Sequence, residues 1–210
     1  MSALGREDLE RALGESNLSR RLFVTPLLER SQIGRGAIDL RLGTEFLLLQ
    51  RVQRAGLDPS KISQEELAAM QERVVVPFGG DLWLHPRHFV LAGTLEYLGL
   101  PDDLSAAVVS RSSWGRVGLL VATAVFIHPG FKGCLTLELV NEGDAPIRLS
   151  PGSKIAQLEL HRLQTPAPAR TSDSAKYLAP VRPEASRLPA EQKEFARLEE
   201  VGKRLRSRLG

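Results

Sequence analysis

Between Ser110 and Asn141 the chain reads SRSSWGRVGLLVATAVFIHPGFKGCLTLELVN. Arg111, Ser112, Ser113 and Arg116 gather two guanidiniums and two hydroxyls, with Gly115 and Gly118 loosening the backbone beside them. Guanidinium forks match phosphate oxygens bidentately, and hydroxyls with neighbouring N–H groups complete an anion cradle. The same residue types also suit a solvated turn. Downstream, Leu135, Leu137 and Leu139 alternate with Thr136, Glu138 and Val140, so a strand here sends its leucines to one face and Glu138 to the other. A carboxylate in so apolar a strand is costly unless it has a partner, a task such as proton transfer, or a face open to solvent.

The elements that must hold these groups are mostly strands. Short apolar runs at Phe46–Leu49, Val74–Val76, Phe89–Leu91, Ala106–Val109, Leu119–Val121, Leu135–Val140 and Ile155–Leu160 are separated by Gly, Pro, Asp and Asn clusters. That spacing predicts a closed all-β sandwich or barrel with minor helices, not alternating βαβ units. Pro129-Gly130-Phe131-Lys132-Gly133 carries turn chemistry and predicts a hairpin folding 121–128 against 134–140. Two short helices are expected: residues 6–13, with Leu9, Ala12 and Leu13 on one face and Gly14 as a stop, and about 63–73, where Ser63 and Glu66 form a capping box. Residues 1–164 then form the β domain, 165–189 a proline-rich segment that buries little, and 190–210 a charged helical extension with Phe195, Leu198, Leu205 and Leu209 as a thin apolar stripe.

Composition narrows the chemistry. The chain has 210 residues, 42% of them hydrophobic, enough for a proper core. Its one cysteine, Cys134, excludes a disulfide framework or a multi-cysteine metal site and suits a reducing compartment. No stretch approaches the ~18–20 apolar residues that span a bilayer, and the polar start carries no secretory signal, so a cytoplasmic protein is expected. The pI near 9.3 suggests polyanion binding, but residues 1–160 carry 17 Lys/Arg against 19 Asp/Glu, whereas 161–210 carry 11 against 6. That tail has glutamates among its bases and no aromatic platform beyond Phe195, so nucleic acid is not the expected partner. No phosphate-binding P-loop, dinucleotide fingerprint, G-x-S-x-G elbow or H-x-E with P-C-x-x-C is present, which excludes zinc-dependent deamination of the cytidine type. Pro86 between His85 and His88 argues against metal ligation there, and no metal site is expected.

The run R-S-S-x-x-R-x-G-L from Arg111, then T-A-x-F-I-x-P-G-F-x-G-x-x-T-L-E-L-x-N from Thr123, resembles the dCTP deaminase family of the trimeric dUTPase superfamily. Gly36-Ala37-Ile38-Asp39-Leu40-Arg41-Leu42-Gly43, Leu84-His85-Pro86, Thr94-Leu95-Glu96, Leu100-Pro101-Asp102-Asp103-Leu104 and Ile155-Ala156-Gln157-Leu158 match in the same order, over roughly residues 1–187. The resemblance implies a mainly β fold, a distorted β-barrel or jelly roll with a few short helices, assembling as a homotrimer with active sites between subunits. It implies hydrolytic deamination of dCTP at C4 to dUTP and ammonia without zinc, with Mg2+ accompanying the triphosphate. By matching position, Glu138 is the proton shuttle, Arg116 steadies it and the water, Ser112 lies by the reacting centre, and the backbone of Ala124 helps hold the water. Arg111, Ser113 and Lys176 fall on phosphate-side positions, Thr136 and Leu137 on base-contacting ones. Residues 165–189 become the family's closing lid.

Four positions depart from that pattern. His128 stands where the family has an aspartate that contacts the sugar 3′-hydroxyl and, in dUTP-hydrolysing relatives, activates water at phosphorus; a neutral imidazole can still accept the sugar hydrogen bond. Val121-Ala122 lacks the usual pocket histidine, and the lid has Ala169 and Pro180 where a tyrosine and a glutamine are expected. The alternatives to an active deaminase are a catalytically impaired nucleotide-binding trimer and a dUTPase-type pyrophosphatase, the latter disfavoured by His128.

Overall fold

The computed structural model describes residues 2–50, 56–122, 126–167 and 179–206, without the side chains of 191 and 193–195. In chain order its elements are β1 (Ser2–Ala3), α1 (Arg6–Leu13), β2 (Phe23–Thr25), β3 (Ile38–Leu49), α2 (Gln64–Ala69), β4 (Gln71–Val75), β5 (Leu82–Leu84), β6 (Phe89–Gly99), β7 (Leu104–Ser110), α3 (Ser112–Gly115), β8 (Leu119–Val121), β9 (Phe126–Ile127), β10 (Lys132–Asn141), β11 (Ile147–Leu149), β12 (Lys154–Arg162) and α4 (Gln192–Arg206). They group into two compact units, residues 1–48 with 73–184, and residues 49–72 with 185–210.

The first unit is a curled antiparallel sheet in the order β8-β10-β6-β3-β12-β7-β9, with β1 beside β12 and β2 beside β6, and a separate pair, β5 with β11. Period-two alternation produces its core. Leu137 and Leu139 of β10, Leu40 and Leu42 of β3, Leu158 and Leu160 of β12 and Leu98 of β6 are all fully enclosed. α1 closes onto them through Leu9 and Ala12, and its last turn is capped where the Gly14 N–H donates to Glu10 O at 3.0 Å. The fold is thus mainly β with a few short helices, as expected.

In the second unit the capping box of α2 is complete: Ser63 Oγ accepts from Glu66 N at 3.1 Å, and Glu66 Oε2 accepts from Ser63 N at 2.9 Å. Ile62, Leu67 and Met70 pack with Leu188. The helix expected to reach residue 73 stops at Ala69, because Gln71 opens β4, whose Arg73-Val74-Val75 run favours extended backbone. α4 forms within 190–210, and its Leu198, Val201 and Leu205 are exposed.

The hairpin expected of 121–128 against 134–140 does not form as a unit. Val121 does pair with Leu139, but Phe126 and Ile127 pair with Ala107 and Ala106 of β7. The reason lies on the β10 edge. Cys134 N–H donates to Pro180 O at 2.6 Å, so the chain at 179–184, not 126–128, takes the main-chain bond a hairpin partner would have made.

Candidate active site

Two groups of polar side chains sit on this sheet. The first forms where β3, β12 and β7 run side by side, with Gln157 opposite both Asp39 and Val109. β7 ends at Ser110 and the chain turns into α3, so Arg111 emerges beside Asp39. Arg111 Nη1 donates to Asp39 Oδ1 at 2.5 Å, Gln157 Nε2 donates to the same oxygen at 3.0 Å, and Lys154 Nζ lies 3.4 Å from Oδ2. Trp114 Nε1 donates to Lys154 O at 2.8 Å and fastens α3 to β12. Ser112, Ser113 and Arg116 are exposed. Gly118 ends this turn at φ +90, where a Cβ would lie 2.6 Å from Gly143 N, so only glycine admits the chain into β8.

The second group lies on β10. Thr136 and Glu138 are half-buried on the face opposite Leu135, Leu137 and Leu139, and Ala122 N–H donates to Glu138 O at 2.7 Å. Leu137, expected at a base-contacting position, has its side chain fully in the core. The strap 179–184 runs beside this group. Glu184 N–H donates to Thr136 Oγ1 at 3.0 Å, Arg182 Nε lies 3.4 Å from Glu45 Oε1, and Pro183 packs against Gly93. Gly133, at φ +143, would bring a Cβ within 2.5 Å of Pro180 Cδ. His128 lies after β9, its ring edge-on to Phe126 at 5.1 Å and 82°.

The sheet joins the two groups. α3 leads through Gly118 into β8, which pairs with β10 at Leu139–Asn141. Ala124, Lys176 and Ala169 lie outside the described residues. Among the described residues no group of three or more His, Cys, Asp or Glu is placed to hold a metal ion, and no helix is long and apolar enough to cross a membrane.

Beneath these groups lies a buried polar network to which sequence reasoning gave no role. Glu96 is fully enclosed and accepts from Gln32 Nε2 and from Arg41 N, both at 2.8 Å; Gln32 also donates to Asp39 O at 2.9 Å and accepts from Arg41 Nη1. Burial pushes the Glu96 carboxyl above the usual carboxylate range despite these donors. The Cys134 thiol is pushed up as well, by burial first and by the charge of Glu96 second, which keeps it protonated and unreactive. The signal was available: Asp39 and Glu96, like Glu138, are acids within apolar strand runs.

The site thus sits on a curled antiparallel sheet, with a serine–arginine turn and a strand that turns one acid outward. The profile of the dCTP deaminase-like family matches residues 4–163, and the chain belongs to that family. It is 38% identical over 175 residues to a dCTP deaminase, dUMP-forming, of Methanobrevibacter smithii, covering 80% of this chain and 88% of that one. It is 40% identical over 189 residues to a dCTP deaminase of Haloarcula marismortui, covering 86% and 96%. The crystal structure of a 2′-deoxycytidine 5′-triphosphate deaminase from Agrobacterium tumefaciens shares the fold at a TM-score of 0.58 and 22% identity; the match covers 77% of this chain and 48% of that one.

Proposed function

We propose that this protein hydrolytically deaminates dCTP, supplied with Mg2+ on its triphosphate, to dUTP and ammonia. The observation that carries the reading is the placement of Glu138 within a chain of this family: the outward acid of β10, beside Thr136 and flanked by core leucines. A carboxylate there takes a proton from water as the oxygen attacks C4. The C4–N bond then breaks as the same carboxyl returns the proton to the departing amine, so one residue serves as base and acid. No zinc is required by this scheme. Arg116 and Ser112 steady the water and the carboxylate, with the backbone of Ala124 as a further holder, while Arg111, Ser113 and Lys176 take the phosphates.

His128 favours dUTP over dUMP as product. Among the relatives some are named dUMP-forming and some are not. Hydrolysis at phosphorus calls for a carboxylate to activate water, and this chain offers an imidazole packed on Phe126. We further propose a homotrimer, supported by the exposure of Val117, Leu120 and Phe126 near the exposed Ser112, Ser113 and Arg116.

The test is incubation of the purified protein with dCTP and Mg2+, following ammonia and nucleotide products together. The reading expects ammonia and dUTP in equal amounts and no pyrophosphate. Binding without ammonia would instead support the impaired, nucleotide-binding alternative, and pyrophosphate release would show that His128 does not block the second step.

A further inference from the structure

Strand β6 loses register with both neighbours over one short stretch. Toward β10 the pairing passes from Cys134 opposite Tyr97 to Thr136 opposite Gly93, so four steps along β6 match two along β10. Toward β3 it passes from Leu42 opposite Thr94 to Phe46 opposite Ala92. Such breaks strip neighbouring main-chain groups of their ladder partners, and buried groups must find others. Two buried side chains of β6 supply them. Thr94 Oγ1 accepts from Leu135 N at 2.9 Å and donates to Glu96 O at 2.9 Å, and the Glu96 carboxylate accepts from Arg41 N at 2.8 Å.

The surplus residues of β6 face β10 immediately before Thr136. β10 keeps its own alternation across this stretch, so what is left to fix is the position of its main chain at Leu135, one residue before Thr136. We propose that Thr94 is a positioning residue for deamination: its hydroxyl holds the Leu135 amide where β6 offers no ladder partner, and thereby fixes where the β10 main chain carries Thr136 and Glu138. The proposal rests on the reading of Glu138 above. Thr94 itself is 5% exposed and sits on the core side, out of reach of a nucleotide. Packing alone would be served equally by valine, which has the same shape. Valine, however, leaves the Leu135 N–H and the Glu96 carbonyl without their partner. On the other edge the strap holds the same stretch, through Cys134 N–H to Pro180 O and Glu184 N–H to Thr136 Oγ1. Residues 134–136 are thus clamped from both sides, and Thr94 is the clamp that belongs to the sheet.

The experiment compares wild type, Thr94→Val and Thr94→Ser in the full chain, by dCTP kinetics and by amide hydrogen exchange at Leu135–Glu138. Displacement of a reacting group by a fraction of an ångström acts on turnover, so Thr94→Val is expected to lose about tenfold or more in kcat with KM changed less than about twofold. Exchange at Leu135–Glu138 is expected to speed up at least about tenfold, and serine, which keeps the hydroxyl, to restore both properties. Wild-type kcat and protection in Thr94→Val would overturn the proposal. If the valine variant does not fold, serine decides: wild-type behaviour supports the hydroxyl, while loss of kcat and protection assigns Thr94 to packing and overturns it. Should wild type itself release no ammonia, the deaminase reading fails, and the exchange comparison still decides whether Thr94 sets β10.

Discussion

At the scale of single residues, the chain manages two acids in apolar strands in opposite ways. Glu138 is half-buried on the outer face of β10; Glu96 is sealed inward, both oxygens held by N–H donors. Burial raises the Glu96 carboxyl, so the folded chain holds that proton more tightly than the unfolded chain does. The resulting contribution to stability is complete below the ordinary value of 4.5 and fades as pH rises through the raised value. In Glu96→Gln the new NH2 must face either Arg41 N–H or Gln32 Nε2, and Gln32 cannot turn over because its Oε1 accepts from Arg41 Nη1. Urea unfolding at pH 7 should therefore show a loss of about 1–3 kcal/mol. The deficit should grow on acidification toward pH 4.5, since only wild type gains from the proton; a deficit independent of pH would contradict the direction given for Glu96.

Among the elements, the strap at 179–184 explains why the hairpin expected from the Pro129–Gly133 turn gave way. Turn residues announce that the chain reverses, but not which strand edge it reaches, and here Pro180 occupies the edge beside Cys134. Gly133→Ala would drive its Cβ into Pro180, so the Cys134 amide should exchange faster while Leu137 and Leu139 keep their protection. Equal protection at Cys134 in both proteins would show that the strap contributes nothing to this edge. Most of β7, β10 and β12 was legible as apolar runs, but only Phe46–Leu49 of β3 and Phe89–Leu91 of β6; α1 and α2 were legible through Gly14 and the Ser63–Glu66 box. The register breaks of β6 were not, because they depend on bonds between side chains and main chain 41 and 55 positions apart. The link between Asp39 and Arg111 was hidden for the same reason: three strands must meet before the carboxylate and the guanidinium can.

For the whole molecule, charge takes on a different meaning from that suggested by the pI. The residues named for the triphosphate are a few placed cations, and Arg111 is partly neutralised by Asp39. The excess of base lies beyond residue 160. The exposed apolar residues around α3 belong to the proposed assembly. Light scattering should give a mass about three times the 23.1 kDa protomer, and Phe126→Glu should lower both the mass and the turnover. A fully active monomer would refute the shared site.

The proposed deamination of dCTP to dUTP and ammonia stands on Glu138 as the group that moves the proton. Ammonia release from dCTP and Mg2+ by wild type and by Glu138→Gln of the same assembly state tests it most directly. Wild type should turn over steadily, and the glutamine variant, whose amide cannot accept the water proton, should lose at least about a thousandfold. Comparable ammonia release by the two proteins would contradict it.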